Sequence, residues 1–238
     1  MASRIYNIER PPSLIESSRF TLSVPHRYVS IEKAIGAAKK GSTIEVYPGN
    51  YAGDFTLKDG VNLIGIGEGV IITGTITVEG TSTIKNLEVI SVKFLIDSNL
   101  VLSRVSANKV CGSGILRGDH LHLGEVEGTQ TGHISLLSST IKRLLLSEVV
   151  STIDSCTIED GVKLSGESVI DCRNTTLISQ DHDIIEVGPG GLVQLFNCYA
   201  SGNCRIKSGE GNSYRSNLIA LGEATEFIGG VNTRIENI

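Results

Sequence analysis

Apolar positions along this chain recur in a short motif. An apolar residue is followed by two others, a third position, one further residue and a second apolar residue. Ile84/Leu87/Val89 is the clearest copy. Leu102/Val105/Ala107 and Leu121/Gly124/Val126 follow, then Leu136/Ser139/Ile141 and Ile153/Cys156/Ile158. Cys172/Thr175/Leu177, Leu195/Cys198/Ala200 and Tyr214/Asn217/Ile219 complete the series, with Leu63/Ile66 as a partial earlier copy. The mean spacing is about 19 residues, which is short for a helical-pair repeat. Stretches such as Thr75-Ile76-Thr77-Val78 and Val162-Lys163-Leu164 alternate with a period of two. β-branched residues are frequent there, and Gly, Asn, Asp and Ser mark the breaks.

One coil of a β-helix fits this period, and its loops tolerate uneven spacing. Leucine-rich repeats are the nearest rival, but their fixed Asn and run of leucines are missing. A single coil cannot bury its inward side chains; its neighbours in the stack do. Nine coils at the parallel-strand spacing of about 4.8 Å predict a rod roughly 43 Å long. Ser139, Cys156, Thr175, Cys198 and Asn217 share one register position. The pattern predicts a tight inward corner there, with polar side chains bonding along the stack.

The start of the chain reads differently. Phe20, Leu22 and Val24 alternate as in a short strand, within an otherwise irregular arm spanning residues 1–27. A helix is predicted over 30–40, with Ser30 as N-cap, Gly41 as stop, and Lys39 and Lys40 in the last turn. Ile31, Ala34, Ile35 and Ala38 form its apolar stripe. A strand over Thr43–Tyr47, the turn Pro48-Gly49-Asn50 and two short strands split at Asp59-Gly60 follow. Residues 28–238 are read as one repeat domain.

Ser30-Ile31-Glu32-Lys33-Ala34-Ile35, Ala37-Ala38, Gly41, Thr43-Ile44, Val46, Pro48-Gly49-Asn50-Tyr51 and Leu63-Ile64-Gly65 resemble the opening of the pectin lyase-like superfamily. The match covers roughly residues 28–66. The resemblance implies an all-β fold, a right-handed parallel β-helix of about nine coils with a short N-terminal capping helix. It leaves function open, because lyases, hydrolases, esterases, viral spikes and adhesins share that opening.

Composition narrows the field. A net charge of −5 supplies no general attraction to nucleic acid. No run of about 18 apolar residues predicts a membrane span, and the N-terminus lacks the apolar core of a secretory signal. Five cysteines without a C-x-x-C pair argue against zinc or a disulfide framework. They predict reduced, mostly buried thiols and synthesis in a reducing cytoplasm. No cofactor or metal is expected.

The best candidates for chemistry are Asp181 and Asp183, flanking His182, with Arg205 and Lys207. Arg205-Ile206-Lys207 spells the R-I-K motif that, by resemblance to polygalacturonases, contacts substrate carboxylates. The other motifs of that family are broken. Asn174-Thr175 is followed by Thr176 rather than Asp, His182 splits the two aspartates, and Gly132-His133 lies upstream without its second Gly. Pectinesterase and pectate lyase motifs are not found. Asp181 and Asp183 fall near Arg205 and Lys207 in the repeat, so exposed charge pairs on neighbouring rungs explain all four. His120 and His122 flank inward Leu121 and point outward, without a matching acid or Cys for a metal. Gly188-Pro189-Gly190-Gly191 is a turn with no helix behind it, not a phosphate loop.

These features predict a noncatalytic β-helix used as a structural or interaction component of a larger assembly, such as a capsid-associated or spike protein of a virion. Its partners would be other protein subunits, met through the N-terminal arm or the C-terminal tail. The alternative is a diverged carbohydrate-active or carbohydrate-binding β-helix acting on acidic polysaccharide, with Asp181, Asp183, Arg205 and Lys207 on its working face.

Overall fold

A computed structural model describes residues 20–130, 132–179, 183–201, 205–208, 213–221, 226–228 and 232–235. Strands dominate, stacked as a β-solenoid of about nine turns with a single short helix among the described residues. Every strand pair is parallel, and the register forms continuous columns. On the first face, Leu22, Ile44, Leu63, Ile84, Leu102, Gly118, Leu136, Ile153, Cys172, Leu195, Ser216 and Ile235 are successive partners. Leu136, Ile153 and Leu195 are fully buried. Thr21–Val24, the strand read within the arm, is the first rung of this face. The rest of the arm, residues 1–19, lies outside the described residues.

Two positions after the column residue the chain turns into the second face. Asn86, Arg104, His120, Ser138, Ser155, Asn174 and Asn197 stand there with φ between 47° and 54°. This left-handed bend costs any residue with a Cβ, and Asn tolerates it best after Gly. The next residue points inward. Ser139, Cys156, Thr175 and Cys198 are buried at that corner. Ser139 Oγ donates to the Leu137 carbonyl and accepts from the Leu121 amide. Thr175 Oγ1 donates to the Arg173 carbonyl, and Cys198 Sγ lies 3.3 Å from the Cys172 carbonyl. The polar corner column therefore satisfies main-chain groups of its own rung and the one before.

The repeat read from the sequence needs two register corrections. Leu121 belongs to the corner column, beside Ser139, and Gly118 takes the first-face position. At the other end, Leu195 pairs with Ser216 and Cys198 with Leu218 across a bulge, so Tyr214 and Asn217 are not in the expected columns. In both cases a small residue holds the register position, where it gives no apolar signal.

The helix spans Ile31–Ala37, shorter than expected. Ser30 caps it, accepting from the Lys33 amide at 3.3 Å, while Ala38 is already extended. The chain must turn at once to enter Thr43–Val46, and Ser42 Oγ takes the Lys39 amide at 2.9 Å. Lys39 and Lys40 thus lie beyond the helix, and Lys40 Nζ pairs with Asp59 instead. Ile31, Ala34 and Ile35 are buried against the first rungs.

Candidate functional site

A third face, which includes the strands Val162–Ser165, Asp183–Val187 and Arg205–Ser208, carries three of the expected residues, Asp183, Arg205 and Lys207. Asp183 pairs in register with Arg205, a bulge follows, and Glu186 pairs with Lys207. The extra residue is Ile184; it and Ile185 are both buried, and the shift sets Lys207 beside Glu186 rather than Ile185, while Asp183 stands opposite Arg205. Asp181 and His182 lie outside the described residues, and of Asp183, Arg205 and Lys207 only the strand positions are described.

Charges on this face are paired from rung to rung. Lys109 Nζ lies 2.8 Å from Glu125 Oε1 and 2.9 Å from Glu127 Oε2. Those two carboxylates push the lysine pKa upward. Arg143 Nη2 meets Asp160 at 2.7 Å, and Lys163 Nζ meets Glu186 at 3.0 Å. Exposed pairs of this kind add little stability individually.

A second cluster sits at the left-handed corner. A groove of about 740 Å³ lies over Asn86, Arg104 and His120 and over the first strand positions of the second face. The turn Gly67-Glu68-Gly69 forms one wall, with Gly67 and Gly69 at positive φ. Leu87 and Val105 are its buried floor. Glu88, Ser106 and His122 are successive partners in register, one per rung, and all three line it.

His120 is oriented from below. Its Nδ1 lies 3.0 Å from Asp119 Oδ2, an oxygen that also accepts from Ser103 Oγ at 3.1 Å. The His120 contact is the main cause holding the Asp119 carboxyl below the usual carboxylate range, and the Ser103 bond adds to it. The sequence pointed to His120 and His122, and both are exposed as expected. It did not point to Glu68, Glu88, Arg104 or Ser106. The available signal was Arg104 itself, a long cation in a column whose backbone favours Asn.

Among the described residues, no three His, Cys, Asp or Glu side chains converge as metal ligands, and no helix is long and apolar enough to cross a membrane. No protein-family model matches the chain, and neither does any curated protein. Among solved structures, the chain aligns with ORF18 of Geobacillus virus E2 over 94% of its residues, at 11% identity and a TM-score of 0.41. It spans 63% of the length of that viral protein.

Proposed function

We propose that this protein is a noncatalytic β-helix serving as a structural or interaction component of a larger assembly, with a virion as the most concrete case. The observation that carries the reading is the open ladder end at the far side of the first face. Asn232–Ile235 pairs with one strand, around Ser213–Ser216, and among the described residues no strand lies beyond it. Natural β proteins cover such edges, because an unpaired edge templates association; in an assembly a neighbouring subunit supplies the cover.

Native mass measurement of the full chain tests this. The expected result is an oligomer or a complex burying at least about 1,000 Å² in total. Deletion of residues 2–19 should leave the solenoid folded and impair that assembly. A full-length chain that stays monomeric at high concentration overturns the reading.

One observation favours the alternative, an enzyme or binding module for acidic polysaccharide: Asp183, Glu186, Arg205 and Lys207 stand on adjoining rungs of one face. Purified protein should nonetheless leave polygalacturonate and pectin uncleaved. Turnover that Asp183→Asn abolishes would establish the alternative.

A further inference from the structure

We propose that the groove at the left-handed corner is a binding site for a ligand bearing an oxyanion, a carboxylate or a phosphate, held by Arg104, His120, His122 and Ser106. The argument begins with what the fold does not require. The same two columns continue along the rod as Ser138/Thr140, Ser155/Thr157 and Asn174/Thr176. Small hydroxyl and amide side chains satisfy the architecture there. In the groove rungs the columns hold Arg104/Ser106 and His120/His122 instead. Arg104 has φ 51°, where the backbone favours Asn or Gly. Local propensity is overridden at the place where the surface is concave, and such conflicts mark functional positions.

The placement suits an oxyanion. His122 is the register partner of Ser106, so the four groups come from two neighbouring rungs about 4.8 Å apart. Arg104 has no carboxylate within 4.0 Å among the described residues, unlike Arg143 and Arg173, and its charge helps hold the Asp119 carboxyl low. Its guanidinium fork can engage two oxygens at once. Asp119 holds His120 through Nδ1, which leaves Nε2 as the free ring nitrogen, a donor when the ring is protonated. Glu88 stands on the rung before Arg104 and Ser106, on the side away from His120 and His122, and Glu68 lies in the turn that forms one wall. They repel a bare anion and give the site polarity: the oxyanion lies toward Arg104, and hydrogen-bond donors of the ligand lie toward the glutamates. The groove volume leaves room for both ends.

The full chain, titrated with inorganic phosphate and separately with acetate at pH 6 and constant ionic strength, tests the site through backbone amide shifts. Amides of residues 103–107 and 119–123 should respond saturably to at least one probe, and the tighter probe identifies the oxyanion class. Arg104→Asn and His120→Asn place in the column a residue it already holds at three other rungs, so folding is preserved. Arg104→Asn should weaken binding about tenfold. Glu88→Gln, which removes a repulsive charge, should tighten binding of the bare anion, and Lys163→Gln should change nothing. Absence of saturable shifts with both probes, or equal affinity in Arg104→Asn, overturns the site. Weaker binding in Glu88→Gln overturns its polarity.

Discussion

Leu121 fills the space that a side chain at Gly118 would take. A Cβ at Gly118 would collide with Leu121 Cδ1 and lie 3.1 Å from Leu136 Cδ2. The two residues share one inward volume, although Gly118 belongs to the first face and Leu121 to the corner. Gly118→Ala should therefore destabilise by about 1–3 kcal/mol through overpacking. Leu121→Ala should cost about 2–5 kcal/mol through the cavity it leaves. The double variant should cost less than the sum, because the added methyl occupies part of that cavity. Denaturant titration of the three variants measures the coupling, and strict additivity would refute shared occupancy.

That exchange also explains where the fold was legible and where it was not. Leu63, Ile84, Leu102, Leu136, Ile153, Cys172 and Leu195 announced the column because each is apolar and each is buried. Gly118 and Ser216 hold the same column silently, so the pattern slid to Leu121 and Tyr214. The opening helix was readable from Ser30 and its apolar stripe, but its end was not. That end is set by Ser42 capping Lys39, a tertiary turn rather than a propensity. The groove was legible only in His120 and His122. Glu68, Glu88, Arg104 and Ser106 come from successive rungs, and only the register brings them together.

Ile153 tests the column directly. Its partners above and below are Leu136 and Cys172, and it is fully buried. Ile153→Ala should lower the unfolding free energy by about 2–5 kcal/mol. A loss below about 0.5 kcal/mol in chemical denaturation would place the side chain elsewhere.

The thiols should separate by reactivity. Burial raises the pKa of Cys156, Cys172 and Cys198, with Cys172 raised furthest. Cys111 is also raised, mainly by desolvation, but is only partly buried and lies beside Lys109 and Lys93, which oppose the shift. The thiolate is the nucleophile. Iodoacetamide at pH 8 should thus label Cys111 well before Cys156, Cys172 and Cys198, as read by peptide mass mapping. Labelling of Cys172 at the rate of Cys111 in folded protein would contradict the packing.

Acid should weaken the solenoid. Asp119 and Asp154 are held below the usual carboxylate range, Asp119 first by His120 and Asp154 first by Asn174. A depressed folded-state pKa contributes stability that is fully present above the unfolded value near 3.9. It is lost as pH falls through the folded value. Stability should be flat with respect to these groups above about pH 5 and should fall below about pH 4. Asp154→Asn should reduce that acid-side slope, and an unchanged slope in both Asp119→Asn and Asp154→Asn would show that neither bond matters.

The corner column predicts one substitution that should raise stability. Asn174 and Asn197 show what the left-handed position rewards. Asn197 Nδ2 donates to Asn174 Oδ1 at 2.7 Å, and Asn174 Nδ2 donates to Asp154 Oδ1 at 3.1 Å, so the amides form a ladder along the bend. Arg104 gains nothing comparable at φ 51°, and an arginine there bears the steric cost of the left-handed region together with more side-chain entropy to lose. Arg104→Asn should therefore stabilise the fold by a few tenths to about 1 kcal/mol, while Asn174→Ala should destabilise it by about 1–2 kcal/mol, losing both the backbone preference and the ladder. Thermal unfolding of the two variants provides the comparison. A lower melting temperature for Arg104→Asn would show that the guanidinium stabilises the corner itself, and the conflict between local preference and sequence at that rung would disappear.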